Sequence, residues 1–335
     1  MSIVGKARAN PDAPERAVTA HGIGMVFERS AGVVFLAILF VIFSIALPGR
    51  FLTYANLVGV IGNQAIAAIV ALGLVVPLAG GVFDLSVSGV MTLSVVSVTD
   101  LFQATSGHFP IPLAIACVCA GALLVGCFNA VLVLKLTVDP FIATIGTSSV
   151  LIGISQLLGN GTTITNNIPD GFTSFGRATP LQIPISVYVF VGLALIAAYV
   201  LTLTPFGPTL YATGAARESA RLAGIRTNRV LVIAFCASAL GAAIAGILFA
   251  AQTGSGPPSI GDSYLLGAYA SAYLGSTIIR PGRFNVGGLI VAVMIIAIGV
   301  NGLELSGLPF WVTETFQGAA LLVAVVLARL RRRST

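Results

Sequence analysis

Two sets of polar residues in this chain could do chemistry, and neither is equipped to make or break bonds. The first lies inside otherwise apolar runs: Asn63, Gln64, Asp84, Ser86, Ser88, Asn129, Thr144 and Ser148. Amides, hydroxyls and one carboxylate can replace water around a polar solute. The second is "ATGAARESARLAGIRTNRV", residues 212–230, which carries four arginines and a glutamate; the forty residues before 212 hold one charge, Arg177. Its alanine-rich stretch favours a helix, and Gly224 stands where a left-handed cap would end one. Ala216, Ala220 and Ala223 fall at helical spacing, with Arg217, Glu218 and Arg221 as polar handles. Such a helix can dock into a groove on a partner, or rest as a basic linker on anionic headgroups.

Bond-making chemistry finds no support. The chain has no GxxxxGK[ST] phosphate loop, and its only lysines are Lys6 and Lys135. His21 falls in the amino-terminal tail and His108 in a loop, without ligand spacing or a nucleophile partner in sequence. Cys117, Cys119, Cys127 and Cys236 sit within apolar runs without a CxxC, as small packing residues rather than metal ligands. No catalytic residue, metal site or cofactor is expected on this chain.

The elements that must hold these groups are membrane spans. Of 335 residues, 57% are hydrophobic and 8% charged, with a mean hydropathy of +1.02. A soluble domain carries about 25% charged residues, so too few exist here to wet a globule. The expected fold is an all-α, polytopic transmembrane bundle of ten spans near 31–48, 57–80, 85–101, 111–134, 140–158, 185–203, 230–252, 264–279, 284–303 and 308–328. The piece "GNGTTITNNIPDGF" (159–172) reads as a loop. The net charge of +6 does not imply nucleic acid, because the basic residues cluster at span ends and form no stripe with aromatics.

With the amino terminus inside, ten spans put fifteen basic residues in the cytoplasm and only Arg50 and Arg177 outside. Both termini are then cytoplasmic: a segment over 1–29, which does not have the form of a signal peptide, and a basic tail over 329–335, flanking a membrane domain over 30–328. The charged stretch becomes the longest internal connection, 204–229. Asp84 is the only charge between Arg50 and Asp100; a carboxylate at the bilayer centre costs roughly 2.5–3.5 kcal/mol, so it must face a cavity, a partner or the wet edge. It could begin a helix at "DLSVSG" or line a path.

The spacing Glu218-Ser219-Ala220, three residues, then Gly224 resembles the "EAA…G" loop of ABC importer permeases, and "ESARLAGI" is similar to the version in ribose-type monosaccharide permeases. "GGVFDLSVSGVM" (80–91), "NAVLVLKLTVDPFIATIGTSSVLIGISQLL" (129–158) and "IRPGRFNVGGLIVAVMIIAIGVNGLELSGLPFWV" (279–312) resemble three further blocks of that family, in its order. The chain departs from the family pattern at "YLLGAYASAYLGS" (264–276) and carries an extra residue between Gly81 and Asp84. The resemblance implies a permease subunit that moves a monosaccharide or polyol by alternating access. Arg217, Glu218, Ser219, Ala220, Arg221, Leu222 and Gly224 would form the coupling helix for a separate ATPase subunit, which binds the ATP and Mg. A periplasmic sugar-binding protein and a second permease copy would complete the assembly in the inner membrane. Asn63, Gln64, Asp84, Ser86, Asn129 and Thr144 are the expected path residues. The rival from another class is an ion-coupled secondary transporter, with Asp84 and Glu314 as its intramembrane carboxylates. An intramembrane enzyme would need a nucleophile or metal pair that the cysteine and histidine positions do not offer.

Overall fold

The computed structural model describes residues 32–333, without the side chains of Phe310 and residues 329–333. The 1–29 segment and the last two residues of the 329–335 tail lie outside the described residues. The chain is an all-α bundle. Its long helices are α1 (Gly32–Ala46), α2 (Tyr54–Ala79), α3 (Ser86–Ala104), α4 (Ile111–Leu134), α5 (Pro140–Leu158), α7 (Ile185–Leu203), α10 (Thr227–Thr253), α11 (Ile260–Gly275), α12 (Val286–Leu305) and α13 (Phe310–Arg333). Between them lie the short α6 (Asp170–Arg177), α8 (Phe206–Ala215) and α9 (Arg217–Leu222). Eight of the long helices are apolar and long enough to cross a membrane; α1 and α11 are shorter.

Each sequence-predicted span meets one long helix, and the boundaries differ where polar residues take part in the helix. α2 begins at Tyr54 rather than 57 because Thr53 caps it, accepting the Asn56 N–H at 3.3 Å. α5 begins where Asp139 Oδ1 accepts Phe141 N–H at 2.9 Å, with Pro140 supplying the first helical φ. α11 runs four residues earlier than 264–279 at both ends, because "IGDS" (260–263) is helical and 276–279 are not. Two helices fall where only connection was expected: α6 inside and beyond the 159–172 stretch, and α8 ahead of the charged segment. Both are too short to show as apolar runs.

The interior is lined by small residues. Ala234, Ala239, Ala242, Ala243 and Ala245 of α10 are buried, which lets α10 run close along α2, α3 and α4. Gly126 of α4 backs onto Phe235 and Cys236 so tightly that a β-carbon there would come within 2.9 Å of the α10 backbone. By contrast α4, α5, α7 and α13 leave large apolar side chains exposed, among them Leu124, Val150, Leu195 and Leu322. Those faces suit hydrocarbon.

The bundle has two distinct ends. At one, the end of α2, α8, α9, the start of α10 and the α11–α12 turn meet: Tyr211 donates to Phe284 O at 2.7 Å, and Gly80 lies against Leu210 and Leu231. At the other, Phe102 packs edge-on against Phe172 at 5.1 Å, and Arg177 donates to Gln252 O and Thr253 O. Helices that run back and forth through a bilayer place their connections in two such groups.

The α4–α10 contact makes a direct test of this packing. Cys127 and Cys236 are free, with Sγ atoms 3.6 Å apart. Copper-phenanthroline treatment of the purified protein is expected to join them within one chain, reducing titratable thiols from four to two. Cys127→Ser should abolish the loss. An unchanged thiol count in the unmodified chain would contradict the close approach of α4 and α10.

Candidate functional site

Asp84 sits two residues before α3, in the turn that follows α2, and is fully buried. Its Oδ1 accepts the Ser86 N–H at 3.1 Å and the Ser86 hydroxyl at 2.5 Å; its Oδ2 accepts the hydroxyl of Ser238 on α10. The network continues outward. Asn129 of α4 donates to Ser86 Oγ at 2.8 Å, and Thr147 of α5 donates to Asn129 Oδ1 at 2.7 Å. Tyr269 of α11 accepts the Asp84 N–H at 3.2 Å, and Thr144 accepts the Leu85 N–H at 3.0 Å. Just beyond, the Ser88 and Ser148 hydroxyls are hydrogen-bonded to each other at 2.8 Å. Four of the six expected path residues, Asp84, Ser86, Asn129 and Thr144, are therefore in one cluster, each fully buried. They face one another rather than an open cleft.

Local sequence explains the turn. Leu85 stands at the α3 N-cap position without a side-chain bond, and Asp84 reaches forward to the Ser86 N–H in its place. This satisfies a helix-start donor while leaving the second oxygen free for Ser238. Tyr269 and Tyr273 both come from α11, within the 264–276 stretch. Phe83 stacks near both, with ring centroids 6.5 Å away in each case. Ser238, Thr147 and Tyr269 escaped sequence reasoning: Ser238 and Tyr269 sit in alanine-rich runs and Thr147 beside Ser148 and Ser149, so residue type alone does not mark the partner each meets in space.

Asn63 and Gln64 are elsewhere. They line a cleft of about 180 Å³ between α2 and α12, together with Asn56, Asn301 and Glu304. Asn56 and Asn301 exchange two amide hydrogen bonds of 3.0 Å across it. Asn56, Asn63 and Gln64 fall at helical spacing (i, i+7, i+8), so α2 carries polar residues on one face over its first three turns. An unpaired amide facing hydrocarbon costs roughly 4–8 kcal/mol, so this face belongs against water, a solute or another polar surface.

The charged segment forms α9, a six-residue helix. Its end follows the Schellman pattern: Gly224 N–H bonds to Arg221 O and Ile225 N–H to Ala220 O, both at 3.0 Å. Gly224 has φ +86°, a region that a side chain makes unfavourable. Only Ala220 of α9 is buried; Leu222 is 81% exposed. Glu218 and Arg221 pair at 2.5 Å on the surface, where such a pair contributes little. Arg217 donates to Asn228 at 3.1 Å. The helix thus stands proud of the bundle with an apolar tip and charged flanks. α8 joins it to the interior: a β-carbon on Gly214 would overlap the Ala79 carbonyl, so α8 presses directly on the end of α2, five residues before Asp84.

Eight apolar helices long enough to cross a membrane, packed around a buried polar cluster and carrying a projecting charged helix, define a multi-pass membrane protein. Over residues 56–325 the chain matches the family described as branched-chain amino acid transport system / permease component, and it belongs to that family. It is 33% identical over 295 residues to the ribose import permease protein of Bacillus subtilis (strain 168), covering 88% of this chain and 90% of that one. Over 309 residues it is 30% identical to the ribose import permease protein of Haemophilus influenzae, covering 91% and 94%. It is also 26% identical over 317 residues to the L-arabinose transport system permease protein of Escherichia coli (strain K12), covering 94% and 95%. No solved structure matches the chain.

The Asp84 cluster is expected to hold the bundle together. Ser238→Ala removes one donor from a buried carboxylate and should destabilise the protein by about 1–3 kcal/mol. Ser149→Ala, on an exposed face of α5, should leave it unchanged. Thermal unfolding in detergent compares the two, and equal midpoints would show that the cluster does not support the fold.

Proposed function

We propose that this chain is the membrane-spanning permease subunit of an ATP-driven importer for a monosaccharide or related polyol, working in the bacterial inner membrane. Family membership carries this reading, together with relatives named for ribose and L-arabinose over nearly their full length. The end that carries α8 and α9 is the cytoplasmic one, where the basic residues collect, and both termini lie on that side of ten spans. In this reading a separate ATPase subunit binds ATP and Mg and receives α9, a periplasmic sugar-binding protein delivers the solute at the opposite face, and a second permease copy completes the path.

The shape of α9 supports the coupling role. Leu222 offers an apolar tip that no described part of this chain covers, while Arg217, Glu218, Ser219 and Arg221 surround it with polar groups. Ala220 and the Gly224 cap anchor the helix from behind. A push on α9 passes through α8 to the end of α2, and so to the Asp84 cluster that ties α3, α4, α5, α10 and α11. We assign the open part of the solute path to Asn63 and Gln64. A sugar hydroxyl stripped of water without a partner costs roughly 4–8 kcal/mol, and these amides supply replacement bonds. Asp84, Ser86, Asn129 and Thr144 would meet the solute only after α11 shifts, so their first role is to fix the closed packing.

Reconstitution with the ATPase and the binding protein tests both assignments. Glu218→Ala and Gly224→Pro should each abolish ATP-dependent uptake while leaving membrane insertion intact; normal uptake in both rules out coupling through α9. Asn63→Leu with Gln64→Leu should cut uptake about tenfold or more, the effect of losing roughly 1.4 kcal/mol of solvation along the path, with ATPase co-purification unchanged. Full uptake in that double variant would move the path away from α2. Uptake by the permease alone under a proton or sodium gradient would instead identify a secondary transporter.

A further inference from the structure

The end of the bundle that carries α9 also holds a cleft of about 700 Å³, lined in part by arginines that the transport reading does not use. Its walls are the end of α7, helix α8 and the turn between α11 and α12. Arg280, Arg283 and Tyr211 line it. Arg283 lies with its guanidinium carbon 5.7 Å from the centre of the Tyr211 ring, and Tyr211 is fixed by donating to Phe284 O. Burial pushes the Tyr211 phenol up from its ordinary range while both guanidiniums pull it down, so the two positive charges converge on this cleft.

These charges are uncompensated. Among the described residues the ion pair formed is Arg221 with Glu218; neither Arg280 nor Arg283 has a described carboxylate within reach, and no acidic residue lines the cleft. The turn is held in an unfavourable shape to achieve this. Ile279, a β-branched residue, has φ +58°, a backbone conformation that its side chain makes unfavourable. Gly282 N–H closes back on Ser276 O at 3.0 Å, which brings Arg280 and Arg283 to one side. Strain that concentrates like charges is retained where an anion offsets it.

The neighbouring surface says which anion. The cleft is bounded by Leu201 and Thr202 at the end of α7, and α7 leaves Leu195, Ile196, Tyr199 and Leu203 exposed. An apolar helix face therefore leads directly to a pair of arginines. That is the order of chemistry along a phospholipid: acyl chain, then phosphate. A soluble phosphate would have no use for the α7 face, and an acidic peptide would leave it bare.

We propose that this cleft binds the phosphate headgroup of an anionic phospholipid, held between Arg280 and Arg283 with its acyl chains along α7. The site is separate from the solute path and from α9, so its test does not depend on transport. The full-length permease would be purified in nanodiscs of phosphatidylglycerol or phosphatidylcholine, and retained lipid read by native mass spectrometry after transfer to detergent. Unmodified protein should keep about one phosphatidylglycerol per chain and no phosphatidylcholine. Arg280→Gln with Arg283→Gln should weaken retention by about thirtyfold, the effect of removing two positive charges near a headgroup. Arg226→Gln with Arg229→Gln, which removes equal charge at the start of α10, should keep the lipid. Equal loss in both double variants would mean diffuse attraction and overturn the site. So would displacement of the lipid by millimolar inorganic phosphate, which marks a soluble-anion site. Lipid retention unaffected by Arg280→Gln with Arg283→Gln, alongside lost ATPase co-purification, would assign the cleft to a protein contact and equally sink the proposal.

Discussion

A carboxylate cannot remain among apolar helices unless donors are brought to it, and in this bundle that requirement fixes where five helices start, turn or cross. Asp84 draws its donors from Ser86 at the start of α3 and Ser238 on α10, while Tyr269 on α11 takes the Asp84 N–H. Asn129 and Thr147 extend the same chain of bonds into α4 and α5. Apolar packing between membrane helices has no directional preference, and lipid tails compete for the same contacts. Hydrogen bonds to a buried carboxyl group are directional, and leaving one unmade is costly. The cluster thus sets the register that Ala- and Gly-lined surfaces alone would leave free to slide.

In the proposed coupling, the same cluster is where a force at the surface would reach the interior. α9 touches the bundle through Ala220 and through α8, and α8 meets α2 at Gly214 without room for a side chain. A contact with no side chains has little compliance, so a displacement of α8 moves the end of α2 nearly rigidly. Residues 80–83 then carry it to Asp84. An arrangement of this kind has few intermediate positions: the carboxylate keeps its donors or loses them together. Such discreteness would suit the alternating access proposed for this chain, and it follows from placing a hydrogen-bonding carboxyl group, rather than another leucine, at the junction.

How much of this was legible in the sequence depends on whether a signal was local. The long apolar helices were, because apolar runs are counted residue by residue, and so was the Gly224 cap, because only a few residues tolerate its backbone. α6 and α8 were not, since helices of eight and ten residues leave no run long enough to stand out between spans. Among site residues, Asp84 announced itself as a solitary charge, and Asn129 and Thr144 as polar residues in apolar runs. Their grouping with Ser238, Thr147 and Tyr269 could not be read, because those contacts join residues up to 185 positions apart. Asn63 and Gln64 carried the same local signature as Asn129, yet the structure separates them: one pair remains open, the other is closed by its neighbours. Composition cannot distinguish a polar group that has found a partner from one that is still waiting for it.

That distinction bears on where the solute can go. Asp84, Ser86, Asn129 and Thr144 have their bonds satisfied inside the protein, so a sugar reaching them must first displace protein donors and gains little net energy by the exchange. Asn63 and Gln64 line an open cleft, and every bond they make to a solute hydroxyl is additional to the fold. A permease that bound its cargo through the buried cluster would unlock its own packing whenever cargo arrived, with or without work from a partner. In the proposed reading, a closed polar cluster and open amides on α2 separate the group that holds the conformation from the groups that would solvate the cargo. Under that proposal transport would answer to a force on α9 rather than to the mere presence of solute.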